Sequence, residues 1–171
     1  MEDKEEYREK YKIGEKYLLE GEYEKAYKEF TELYELNAGY SNNAEYRLGQ
    51  MYYYGAYVEK DFDKAFHYFL DSGHPESMFF LGLMYYNGES VEKDYEKAYE
   101  YFEEIAEYNM DAYYMIGKMY CYGYYVEKDY DEARRIFSEV WERCKYKKAK
   151  HMLEMIEYFE DGIIPTDGLY Y

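Results

Sequence analysis

The side chains in this 171-residue sequence that could do chemistry are three histidines, two cysteines, five serines and 38 carboxylates. His67, His74 and His151 are scattered along the chain. A metal site needs ligands at a spacing that brings them to one point, and no HExxH, CxxC or EF-hand loop occurs. Asp129-Tyr-Asp131 opens like a calcium loop but lacks the glycine and the distal glutamate, so it reads as a helix cap. No serine lies in Gly-x-Ser-x-Gly, and no glycine-rich phosphate loop is present. Adjacent carboxylates such as Glu103 and Glu104 recur in any acidic helix and do not mark a glycosidase pair. Cys121 is the one reactive candidate, with Lys118 a turn away, and an inert buried thiol is the competing reading. The residues therefore predict no enzyme, no metal and no cofactor.

Composition narrows the remaining classes. The net charge is −17, which repels nucleic-acid phosphates and anionic lipid and attracts basic proteins. The charge is uneven: residues 112–151 are net basic, through Arg134, Arg135, Arg143, Lys145, Lys147, Lys148 and Lys150, whereas the flanking stretches are acidic. Such runs suit either a solvated helix face or a dipolar docking surface. Two cysteines are too few for a disulfide-stapled secreted domain. The acidic start, Met1-Glu-Asp-Lys-Glu-Glu, is unlike a signal peptide, and no stretch has the ~18–20 apolar residues of a membrane span. A cytoplasmic protein is expected, a monomer or weak homodimer, that engages neither nucleic acid nor membrane.

The elements that must position any site emerge from an internal repeat. Ala44 to Gly55, then Val58-Glu-Lys-Asp61 and Lys64-Ala65, is matched by Ser77 to Gly88, Val91-Glu-Lys-Asp94 and Lys97-Ala98. A third copy runs from Ala112 to Gly123, then Val126-Glu-Lys-Asp129 and Glu132-Ala133. A shorter relative precedes them: Ile13-Gly14, Tyr17, Gly21, Tyr23, Lys25-Ala26 and Phe30. In the first helix Ala44, Leu48, Met51 and Tyr52 form one apolar stripe at i, i+4, i+7 and i+8. A mid-helix glycine costs about 1 kcal/mol against alanine, so Gly49, Gly82 and Gly117 at one repeat position predict close helix approach. Gly55, Gly88 and Gly123 suit left-handed helix ends, and Asp61, Asp94 and Asp129 suit N-caps of a second helix. That helix packs through Phe62, Ala65 and Phe69 and their counterparts. Helix pairs are expected near 44–55/61–72, 77–88/94–107 and 112–123/129–143, with a pair near 7–20/23–36 before them and a helix near 147–161 after.

With Leu-Gly-x-Met-Tyr-x-x-Gly, Val-x-x-Asp and Lys-Ala-x-x-Tyr-Phe in register, these units resemble Sel-one-like repeats, relatives of tetratricopeptide repeats. The first unit resembles a tetratricopeptide repeat proper. The resemblance covers about residues 7–160 and implies an all-α fold, a right-handed α-solenoid of stacked antiparallel helix pairs. It organises the chain as one solenoid domain over 1–162: a tetratricopeptide-like repeat at 7–40, Sel-one-like repeats at 41–76, 77–111 and 112–146, and a capping helix at 147–162. Residues 163–171 read as a tail. The cysteine pair of secreted family members is missing, so their activities do not carry over.

The resemblance further implies a concave groove lined by first helices, used as a non-catalytic adaptor or scaffold. First-helix positions outside the packing stripe then form the expected partner-binding set: Tyr11, Tyr46, Gln50, Tyr53, Phe79, Leu83, Tyr86, Asn87, Tyr114, Lys118 and Tyr122. Rigid aromatic side chains give contact area at low entropic cost. The competing reading is that they fill gaps between repeats. The expected partner is a protein or peptide of basic character. The alternative function is an acidic inhibitor or immunity-type protein that neutralises a basic toxin, nuclease or other effector.

Overall fold

A computed structural model describes residues 2–36 and 40–161. Its helices are α1 (Glu2–Leu19), α2 (Tyr23–Glu35), α3 (Ser41–Tyr54), α4 (Phe62–Ser72), α5 (Ser77–Asn87), α6 (Tyr95–Ile105), α7 (Met110–Tyr122), α8 (Tyr130–Cys144) and α9 (Lys147–Glu160). The described residues contain no strand, and the Val-Glu-Lys-Asp links are irregular backbone rather than hairpins. The fold class is all-α, a solenoid of helix pairs. The chain divides into two compact units, 1–94 and 95–171, within the stretch that the repeat pattern treats as continuous. The tail expected at 163–171 lies outside the described residues, as does Gly162.

In the first unit α1 packs on α2, α2 on α3, α3 on α4 and α4 on α5. Fully buried Ala26, Phe30, Leu33, Ala44, Leu48 and Met51 form one core there. In the second unit α6 packs on α7, α7 on α8 and α8 on α9, around buried Phe102, Ile116, Met119, Phe137 and Ile156. Each apolar stripe read from the period of 3.6 thus faces a neighbouring helix.

The helix glycines are contact points. A Cβ on Gly49 would lie 2.8 Å from the ring of Phe69, and one on Gly117 would lie 2.8 Å from Phe137. The same contact joins Gly14 to Phe30, at 2.6 Å. A second-helix phenylalanine therefore lies against the bare backbone of its first helix. The helix ends follow their residues as well. Gly55, Gly88 and Gly123 take left-handed φ of 74°, 77° and 73°. The Asp61 and Asp129 carboxylates accept from the amides of Lys64 (3.0 Å) and Glu132 (2.9 Å), closing the first turns of α4 and α8. Three starts differ from expectation, α1 already running from Glu2 rather than from about residue 7. The Asn109 side chain accepts from the Ala112 amide and opens α7 at Met110, and α3 begins at Ser41.

Two residues past each C-cap glycine the backbone is left-handed again, at Tyr57 (φ 71°), Ser90 (φ 67°) and Tyr125 (φ 67°). Such a conformation is costly without glycine. In each case the side chain reaches the second helix of the preceding pair. Tyr57 lies 5.6 Å from the Tyr27 ring, Ser90 donates to Asp63 at 2.6 Å, and Tyr125 lies 5.5 Å from Tyr99.

Candidate functional site

In the first unit the expected site residues sit on α1, α3 and α5, the first helices of their pairs. α1 and α3 are joined by an ion pair: Arg47 Nη2 donates to Glu15 Oε2 at 2.6 Å, and Arg47 Nε lies 2.6 Å from Glu15 Oε1. Burial works against the Arg47 charge, but bonds to Glu15 and Tyr11 more than offset it and its pKa moves up. Arg47 Nη1 donates to Gln50 Oε1 at 2.8 Å, and Gln50 Nε2 donates to the Tyr46 hydroxyl at 2.9 Å. Gln50 is thus held at both ends of its amide. Tyr11 stacks on Tyr40 with ring centroids 5.8 Å apart.

Tyr46 corrects the sequence reading. Placed outside the packing stripe, it is only 5% exposed. Its ring stacks on His74 at 4.6 Å and lies 6.1 Å from Phe80. Burial pushes its phenol upward, and Glu76 adds to the shift. The stripe residues Ala44, Leu48 and Met51 share a core with α2, whereas α3 also packs on α4 and meets Phe80 of α5, and so buries a wider sector. Tyr53 stays half-buried: it packs edge-on against Phe62 and Phe80, both at 5.3 Å, and donates to Glu89 at 3.0 Å. On α5, Phe79, Leu83 and Tyr86 are half-buried and Asn87 is exposed.

In the second unit Tyr114 is half-buried, 5.3 Å from both Phe137 and Tyr146, and burial raises its phenol to about 12. Tyr122 lies 6.0 Å from Phe159. Burial lowers the pKa of Lys118, and Lys148 adds to that effect. Cys121 is 1% exposed and burial raises its thiol to about 11, which leaves it protonated and a poor nucleophile at neutral pH. Among the described residues no group of three or more His, Cys, Asp or Glu side chains is placed to hold a metal ion. No described helix is long and apolar enough to cross a membrane.

The sequence reading missed Arg47 and His74. Their partners, Glu15 and Tyr46, lie 32 and 28 positions away, and a helical period carries no information at such separations.

The repeat register, the buried glycine–phenylalanine contacts and the glycine-ended first helices coincide with a family model. The Sel1 repeat model matches residues 42–70, 75–107 and 111–139, more than half of the chain. The chain belongs to the Sel1 repeat family. Proteins of this family are generally protein–protein interaction modules, and the fold is typically a non-catalytic scaffold. A solved Sel1 repeat protein from Oxalobacter formigenes is similar at 28% identity and a TM-score of 0.72, covering 90% of this chain and 62% of its own. A protective antigen present in uropathogenic Escherichia coli strains, which displays an SLR fold, is similar in fold, with 24% identity and a TM-score of 0.74. There the match covers 92% of this chain and 34% of the antigen, so the chain spans less than two thirds of either solved Sel1 protein. No curated protein matches the sequence.

Proposed function

We propose that this Sel1 repeat chain is a non-catalytic adaptor that takes a protein or peptide of basic character on the groove side of its first helices. The observation that carries this reading is α5. In a chain whose residues are 35% charged, Ser77–Asn87 has no charged side chain. One face of α5 supplies buried Phe80, Leu81 and Met84, and Phe79, Leu83 and Tyr86 recur at i, i+4 and i+7 on another, half-buried. A second apolar stripe beyond the core one is what a docking helix needs. Tyr11, Gln50 and Tyr53 on the preceding first helices add aromatic and amide contacts on fixed supports. In the second unit Tyr114, Lys118 and Tyr122 hold the corresponding repeat positions. Tyr46 is retained as a support for Gln50.

The test is recovery of a partner from source-cell extract on the immobilised chain, compared with the triple variant Phe79→Ala, Leu83→Ala, Tyr86→Ala. The expected result is a captured protein that the variant fails to hold, each anchor contributing about 2 kcal/mol, while circular dichroism shows unchanged helicity. Equal capture by both would refute the α5 face.

The charge of −17 favours a second reading, an inhibitor or immunity-type protein that masks a cationic effector. It expects a strongly basic partner whose association slows steeply as salt rises. An adaptor gripping through α5 keeps its partner in 0.5 M salt.

A further inference from the structure

At the junction of α8 and α9 the sign of the surface reverses. Lys145, Lys147, Lys148 and Lys150 fall within six residues, and all four are exposed. Among the described residues none has a carboxylate within ion-pair distance, whereas the three arginines of this unit all do. Arg134 meets Asp131 (2.8 Å) and Glu160 (2.7 Å), Arg135 meets Glu132 (2.6 Å), and Arg143 meets Glu139 (3.2 Å). The only described contacts of the lysine ammoniums are with rings. Lys145 and Lys150 lie 5.3 and 5.8 Å from the centroid of Trp141, and Lys148 lies 6.0 Å from that of Tyr146.

The placement also runs against local electrostatics. Three of the four lysines occupy the first turn of α9, where the helix dipole disfavours positive charge. That turn holds no acidic residue, and Tyr146 at the N-cap offers no side-chain bond. Elsewhere the chain has acids to spare, 38 against 21 bases, yet none is spent here. Four unneutralised cations beside a half-buried tryptophan make a surface that becomes favourable when a negative partner covers it.

The geometry points to a second docking surface, formed by Trp141, Lys145, Lys147, Lys148 and Lys150, that binds a carboxylate-rich segment of another protein. Charge complementarity selects this occupant. A nucleic acid carries one charge per phosphate in a continuous row and would meet the repulsion of a molecule at −17 along its whole length. A second copy of the chain would bring another −17 with it. A short acidic segment presents its charge locally and meets only the lysines. This surface shares no residue with α5 or with the set proposed for the groove, and its partner has the opposite sign to the one proposed above.

Trp141 is the only tryptophan in the chain, so its fluorescence reports on this surface alone. The probe is a twelve-residue oligoglutamate peptide added to the intact protein at low salt. It should shift the Trp141 emission saturably, and the shift should collapse as salt rises. Lys147→Gln/Lys148→Gln should weaken the binding about tenfold or more. Because that variant removes charge from the unfavourable end of α9, its melting temperature should hold or rise, which separates lost binding from lost structure. The triple α5 variant should bind oligoglutamate as the wild type does, so failure of one proposal leaves the other standing. No emission change with oligoglutamate, or equal affinity in the lysine variant, overturns the proposal. So does stronger binding of a single-stranded oligonucleotide of equal charge. Concentration-dependent dimerisation in sedimentation, lost in the lysine variant, assigns the surface to a second copy and overturns it too.

Discussion

At Gly49 the first helix has no side chain because Phe69 needs the space. Phe69 is 1% exposed and stacks on Phe80 at 4.6 Å, so its ring cannot retreat. Gly49→Ala would gain up to about 1 kcal/mol of helix propensity and lose about 1–3 kcal/mol to overpacking. The expected outcome is a net loss of about 1–2 kcal/mol, read from the urea midpoint. In a Phe69→Leu background the same change should cost markedly less, because the colliding ring is gone. A midpoint that rises in the wild-type background would show that the contact is slack. The glycine was legible in the sequence from its recurrence. The identity of its neighbour was not, because nothing local in the chain names a residue 20 positions away.

Helix boundaries were largely legible for the same reason that helices form: stripes, caps and left-handed glycines are local signals. The exceptions are instructive. The start of α7 moved two residues because Asn109, outside the repeat pattern, supplies the cap. Replacing Asn109 with alanine should destabilise the second unit by about 1 kcal/mol. Thermal unfolding followed by circular dichroism measures it, and an unchanged melting temperature would remove Asn109 as a cap. Tyr46 was misjudged because a period of 3.6 finds the arc turned toward one neighbour. A helix flanked on two sides buries residues beyond that arc, and α3 buries eight. Which half-buried aromatics serve a partner and which serve the fold is decided at this scale. Tyr114, wedged between Phe137 and Tyr146, has a structural use already.

Across the whole molecule the 30 tyrosines make alkaline pH the natural denaturant. Burial raises the phenols of Tyr68 and Tyr114 to about 12, and those of Tyr46 and Tyr53 also move upward. A phenol whose pKa is higher in the folded state stabilises fully below its unfolded value near 10, and that contribution is lost as pH rises through the folded value. Unfolding is therefore expected between about pH 10 and 12. Phenolate absorbance should rise cooperatively with the loss of helix, rather than residue by residue. A smooth non-cooperative titration with helicity intact at pH 12 would contradict the burial of these rings.

The left-handed residues at 57, 90 and 125 bear on how such a chain could have grown. Each turn carries its own grip on the second helix before it: Tyr57 on Tyr27, Ser90 on Asp63, Tyr125 on Tyr99. The instruction for joining a unit to its predecessor thus travels inside the copied segment. Duplicating a block of coding sequence one repeat long would insert a module that already possesses its joint. The partner chemistry of that joint, ring against ring or hydroxyl against carboxylate, then drifts copy by copy while the backbone shape that presents it stays the same.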